Sequence, residues 1–309
     1  MPALDDHPLR YTLNSELHAR PFPSLTAPHV AAYLAVRPLG EAARRDRSVD
    51  LQQLRDLLAH YGAPLPAEDA THYFGPMGKY TLKWEQHTEF VTYTVFLDQL
   101  GQRPFDPAEF DVFPQDWRAG LNAQRITSIL LRLVPRPPQD AQIADTLQDW
   151  FVPESLAVAS VLEDAAVIAS DFRIDPAGHM RMAVFASEGT GSRRLGRIVQ
   201  RLCEIETYKS MSMLGFAKVR EFAGQLDRID AELNDLMAGM AGTSAMAEDT
   251  LHRLLDISVG LEALSADASY RLGATEAYQA IVAQRIGALR ETRFMARQGF
   301  DEFMMRRYE

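Results

Sequence analysis

The chain has 309 residues, 47% of them hydrophobic, and a formal net charge of -10 at pH 7. That is enough apolar material for a large core and the wrong overall sign for a general nucleic-acid binder. A single cysteine, Cys203, excludes an internal disulfide framework and suits a reducing compartment. Its neighbours Leu202 and Ile205 read it as a core thiol of a helix rather than a nucleophile.

The first residues, with Asp5, Asp6 and Pro8, lack the basic-then-apolar run of a secretory signal. No apolar run reaches the ~18 residues that a bilayer span requires. His7-Pro8-Leu9 opens a helix, because proline at the first helical position gives up no needed N–H and Asp6 can cap. Leu9, Leu13 and Leu17 share one face of it, and Arg10, Asn14 and His18 form a polar stripe beside them. The helix ends near Ala19, since Arg20 precedes Pro21 and is pushed out of the α region.

Strands and amphipathic helices follow. Val30–Val36 reads as a strand, Ser48–Tyr61 as a helix, and Tyr80–Gln86 with Phe90–Leu97 as an antiparallel pair. Ile126–Val134 is a buried strand and Asp140–Trp150 a helix. Leu156–Leu162, Ala166–Arg173 and Met180–Phe185 are strands, the last two joined by the turn Asp175-Pro176-Ala177-Gly178.

Beyond Gly191 the apolar period lengthens to that of a helix. Val219, Phe222, Leu226, Ile229, Leu233, Leu236 and Met240 alternate in steps of 3 and 4, an a/d seam that must face another helix. On such a seam Leu226 is expected to be buried. Ala241–Ser244 breaks the helix, with Ser244 as N-cap of a second one carrying Leu251, Leu254, Ile257, Leu261 and Leu264. Gly273 predicts a stop before a third helix from Thr275, with Ile281, Ile286, Leu289 and Phe303 on its apolar side. Glu309 arrives without a stop signal, so the natural chain is expected to continue.

The fold class predicted is α+β: a mixed or antiparallel sheet with short helices in the N-terminal half, then a coiled-coil-like bundle of long helices. Residues 1–190 form an α/β domain with an N-terminal helical arm and two βαββ-like halves, about 30–97 and 126–186; residues 191–309 form the bundle.

No catalytic signature stands out. The eight histidines contain no His-x-x-x-His pair, and one cysteine provides no zinc-ribbon spacing, so no metal site is expected. A Gly-x-Ser-x-Gly elbow, a P-loop and any cofactor motif are likewise absent. Three polar groupings are candidate ligand sites, each with a structural alternative. Arg10, Asn14 and His18, with Glu16 and Arg20 beside them, form either a ligand stripe or the wet side of a docked arm. Glu85, His87 and Glu89 lie at a hairpin end, as a general-base cluster or a solvated turn. Ser192, Arg193, Arg194 and Arg197 follow Gly189-Thr190-Gly191 at a helix start, where an anion could be held, or where Ser192 is simply the N-cap. The third glycine, Gly196, falls two residues later than a dinucleotide fingerprint requires.

The strings His7-Pro8-Leu9-Arg10, Asn14-Ser15-Glu16-Leu17-His18-Ala19-Arg20-Pro21-Phe22-Pro23, Trp84-Glu85-Gln86-His87-Thr88-Glu89-Phe90 and Arg201-Leu202-Cys203-Glu204-Ile205-Glu206-Thr207-Tyr208 resemble a bacterial family known as domain of unknown function 3422. The resemblance runs the whole length. It implies a membrane-anchored protein with hydrophobic spans after Glu309, the present residues lying on the cytoplasmic side, and it supplies no catalytic residue. The layout also looks like that of CorA-type magnesium channels, a likeness of fold alone. The leading expectation is therefore an interaction or regulatory domain of a membrane-anchored oligomer, self-associating through the Val219–Met240 seam, with no nucleic-acid partner and no cofactor. The alternative is the cytosolic domain of a CorA-like ion-transport protein. An enzyme of unknown reaction comes third.

Overall fold

The computed structural model describes residues 5–11, 13, 14, 22–39, 46–239 and 247–308. Its sheet has nine strands: β1 (His29–Pro38), β2 (His72–Met77), β3 (Tyr80–Gln86), β4 (Val91–Leu97), β5 (Ala123–Pro135), β6 (Ala157–Val161), β7 (Ala166–Ile174), β8 (Met180–Ala186) and β9 (Thr292–Arg293). The helices are α1 (Arg47–His60), α2 (Gln115–Ala119), α3 (Asp140–Trp150), α4 (Ser192–Gly239), α5 (Ala247–Leu289) and α6 (Phe300–Tyr308). The architecture is the mixed sheet followed by long helices that the sequence predicts.

The spatial order is β2-β3-β4-β1-β5-β8-β7-β6-β9. β1 and β5 pair antiparallel at the centre, with Tyr33 opposite Ile129. Both β1-to-β4 and β5-to-β8 read strand, helix, three strands, because β2 adds a strand to the first segment. Strand sense breaks the apparent symmetry: β4 runs antiparallel to β1, whereas β8 runs parallel to β5. β2 escapes sequence reading because Gly75-Pro76 looks like a turn. It is an edge strand, where a proline lacking an N–H is tolerated.

Alternation along β1 divides the core. Ala32, Leu34 and Val36 face a cluster that includes Leu54, Leu57 and Leu58 of α1 and Ile143 and Leu147 of α3. An aromatic group of Phe110, Phe113 and Trp117 closes the same side. The opposite face is covered by the first turns of α4, whose Leu195, Ile198, Val199 and Leu202 are buried. Tyr33 Oη meets Thr207 Oγ1 at 2.7 Å across that interface.

The chain divides into two compact units: residues 1–207 with 285–309, and residues 208–284. The division falls inside α4 and α5 rather than at the strand-to-helix junction near residue 190. In the second unit α4 and α5 run antiparallel. Tyr208 lies against Tyr278 with ring centroids 5.7 Å apart, and Lys218 pairs with Asp267 at 2.8 Å. A Cβ at Gly215 would overlap the Thr275 hydroxyl, so the two backbones approach closely there.

Three expectations need correction. α5 continues through Gly273, because that position faces open space and a lone helical glycine costs only ~1 kcal/mol. Phe303 therefore belongs to a separate short helix, α6. Leu226 is 48% exposed and Val219 47%, while Phe222 and Leu236 of the same seam are buried. The expected break at Ala241–Ser244 and the seam residue Met240 lie outside the described residues.

Gly196 has a structural duty. The Pro23 carbonyl rests where its Cβ would be, so the extended 22–26 segment crosses α4 at this point. Leu25 N donates to Ser192 O at 3.1 Å just beside it. Gly196→Ala should lower stability by roughly 1–3 kcal/mol in denaturant unfolding, since the obstructing atom is backbone and yields little.

Candidate functional site

The three polar groupings stay apart. Arg10 is exposed and pairs with Asp6 one helical turn earlier, and Asn14 is exposed too. Leu9 and Leu13 are also exposed, so the apolar stripe expected to dock this segment is uncovered at both described positions. Arg10 is thus no buried guanidinium, and truncating it does not carry the cost expected of one. Glu16, His18 and Arg20 lie outside the described residues.

At the β3–β4 turn, His87 N donates to Phe90 O at 2.9 Å and the His87 ring stacks on Phe90 at 4.3 Å. Glu85 instead faces α4, 3.2 Å from Lys83 Nζ. Glu89 is buried. At the start of α4, Ser24 Oγ donates to Ser192 Oγ at 2.6 Å, Arg194 reaches Glu163 at 3.3 Å, and Arg197 lies over the Phe22 ring. Arg193 is exposed. The helix start is therefore occupied by the chain's own groups.

Other polar groups are built in more deeply. Lys83 Nζ donates to Gln200 Oε1 at 2.7 Å, Gln200 Nε2 donates to Glu204 Oε1 at 2.7 Å, and Arg285 pairs with Glu204. This chain ties β3 through α4 to the end of α5. Its signal in the sequence is a lysine between Leu82 and Trp84, on the side of β3 opposite those two.

A cavity of about 550 Å³ opens beside the end of β4, lined by Lys79, Tyr80, Asp98, Asp106 and Glu109 among others. Asp98 pairs with His29 at 2.9 Å, and Asp106 caps the 3-10 turn Pro107–Val112 through Ala108 N at 3.0 Å. Glu109 accepts from Gly101 N at 3.2 Å and lies 3.7 Å from Arg132 Nη1. Burial raises the Glu109 pKa and lowers that of Arg132, so loss of water outweighs their attraction at this distance. The clue in the sequence is an arginine inside the apolar run Ile129–Val134. A carboxyl and a guanidinium of this kind can bind or orient a polar group.

Cys203 is buried, and burial pushes its thiol well above the usual range, consistent with a core thiol. Among the described residues no group of three or more His, Cys, Asp or Glu could hold a metal ion.

With the geometry laid out, comparison with known proteins adds one result: the model of a family described as protein of unknown function (DUF3422) matches residues 5–309. The chain belongs to that family. No curated protein and no solved structure matches it. DUF3422 membership therefore assigns no activity to the Glu109 cavity or to any other site.

On the hairpin of the second unit, Val219, Phe222, Ala223 and Leu226 of α4 and Leu261, Leu264, Ser265, Ala268 and Leu272 of α5 line an almost wholly apolar groove of about 440 Å³. Val219, Leu226, Leu261 and Leu272 are 41–48% exposed along it.

His179 offers a test of the α/β unit. It is buried against Phe110, and its Nδ1 donates to Ser128 Oγ at 3.0 Å, because that hydroxyl donates in turn to Gly178 O at 3.1 Å. Burial lowers its pKa below 6.5, with Asp175 opposing and Arg125 and Arg118 reinforcing. A depressed folded pKa means the unfolded chain binds the extra proton. Stability should be full above about pH 6.5 and fall as pH drops through the folded value, by at most ~1.4 kcal/mol per pH unit. Melts of the parent and of His179→Asn between pH 8 and 5 should show the parent's slope reduced in the variant.

Proposed function

We propose that this chain is an interaction or regulatory domain that self-associates through the α4/α5 hairpin, on the cytoplasmic side of a membrane-anchored protein. The observation that carries the reading is the groove around Leu226 and Leu261. Four large apolar side chains stand half-exposed on one face of a helix pair, and contiguous apolar patches of this kind mark interaction surfaces. The polar groups of the α/β unit fit the same reading, being largely paired with one another rather than converging on a reacting centre. The anchor rests on the family resemblance alone, since no helix among the described residues is long and apolar enough to cross a membrane.

The cytosolic part of a CorA-like transporter is the weaker reading. It calls for long helices leading away from the sheet, whereas here the chain returns after α5 to pair β9 with β6. An enzyme is weaker still, because Glu85 and His87 serve the β3–α4 contact and the turn; Glu16 and His18 lie outside the described residues.

Light scattering across a concentration series should give a mass above that of one chain. Leu226→Asp should return it to one chain while lowering stability by roughly 1 kcal/mol, because the side chain is already half in water. Phe222→Asp, on the buried side of the same seam, should instead unfold the hairpin, by burying an unpaired charge. A single-chain mass at every concentration tested would end the self-association reading.

A further inference from the structure

The hairpin carries a charge gradient along its length. Take Phe222 and Ser265, both in the groove lining, as its middle. The half toward the end of α4 and the start of α5, residues 223–239 and 248–264, holds eight Asp and Glu against two Arg, a net charge of -6. The other half, residues 208–221 and 266–284, holds four Lys and Arg against three Asp and Glu, a net charge of +1. Most of the protein's net charge of -10 therefore sits on half of one hairpin.

Two hairpins can cover each other's groove face to face in two symmetric ways. A two-fold axis parallel to the helices lays acidic half on acidic half and crosses α4 over the partner's α5. A two-fold axis across the helices reverses one hairpin, laying the acidic half on the near-neutral half and each helix over its own copy. The first opposes -6 with -6; the second opposes -6 with +1. Like charges brought together across an interface cost several kcal/mol and act against that partner arrangement. The groove adds a geometric reason. It lies at the hairpin's midpoint, so reversal about an axis there superposes groove on groove, as an isologous interface demands.

We infer that the groove is covered by the hairpin of a second copy of this chain, packed antiparallel about a two-fold axis passing beside Ser265. The inference rests on the self-association reading and adds which way the copies face. Four helices then share one apolar centre made of Val219, Leu226, Leu261 and Leu272 from each copy, at the small crossing angles of a helix bundle. Ser265 meets its own copy. Ser258, two turns nearer the acidic end, faces Leu272, since both lie seven residues from Ser265.

Oxidative cross-linking of the full-length 1–309 chain separates the arrangements. Cys203 is buried and stays silent in every sample. Ser265→Cys should yield a disulfide-linked dimer on a non-reducing gel, and Ser258→Cys alone should not. Mixing Ser258→Cys with Leu272→Cys should give the linked heterodimer. A protein that is dimeric by light scattering, in which Ser265→Cys fails to link or Ser258→Cys links to itself, would overturn the antiparallel geometry and leave self-association standing. A single-chain mass for the parent would remove both.

Discussion

Strands β1 and β5 pair at the centre of a nine-stranded sheet, and their middle residues are buried on both faces. A sheet with such a centre holds only if each face is covered, because apolar side chains at alternate positions would otherwise be left in water. α1 and α3 cover one face. The other depends on the first turns of α4. The remaining features follow from that second cover: Gly196 is small so that the Pro23 backbone can pass, Tyr33 finds Thr207, and Lys83 is brought under α4 to Gln200. Polar groups are admitted to this interface because each has a partner, as burial requires.

Much of this was legible in the sequence, because hydrophobic period is a strong local signal. All nine strand and helix segments expected between residues 30 and 186 lie within three residues of those found, Phe90–Leu97 beginning one residue later as β4. What escaped was non-local. β2 is a strand only because β3 offers it an edge, and β9, two residues long, exists only because β6 does. The heptad pattern of α4 marked an apolar seam but could not say how much of it one neighbour covers. With a single partner helix, Phe222 and Leu236 are buried while Val219 and Leu226 remain half-open.

The candidate sites were less legible, and for the same reason. Serines, arginines and histidines near one another in sequence read as groups that converge on one site. In space they are dispersed, Arg194 to Glu163 and His87 to Phe90. The groups that do meet across elements, Glu109 with Arg132 and Lys83 with Gln200, are separated by 23 and 117 positions. Their one local trace is a charged residue inside an apolar strand, visible at Lys83 and Arg132.

The turn between β6 and β7 places Leu162, Glu163 and Asp164 consecutively in the left-handed region, at φ 50°, 55° and 65°, a conformation costing roughly 1–2 kcal/mol per residue. Glu163 pairs from there with both Arg194, near the start of α4, and Arg290, just past the end of α5, while Leu162 N donates to Leu289 O at 2.9 Å. One turn therefore fastens the chain where it leaves the sheet and again where it comes back. Everything between residues 208 and 284 is, in chain terms, an insertion held at its neck. Such an insertion can change length without disturbing its host. Adding or removing one heptad from both limbs together keeps the a/d registry of α4 on α5 and moves no strand. Relatives with longer or shorter hairpins could thus space whatever they bring together at different distances while keeping the same sheet.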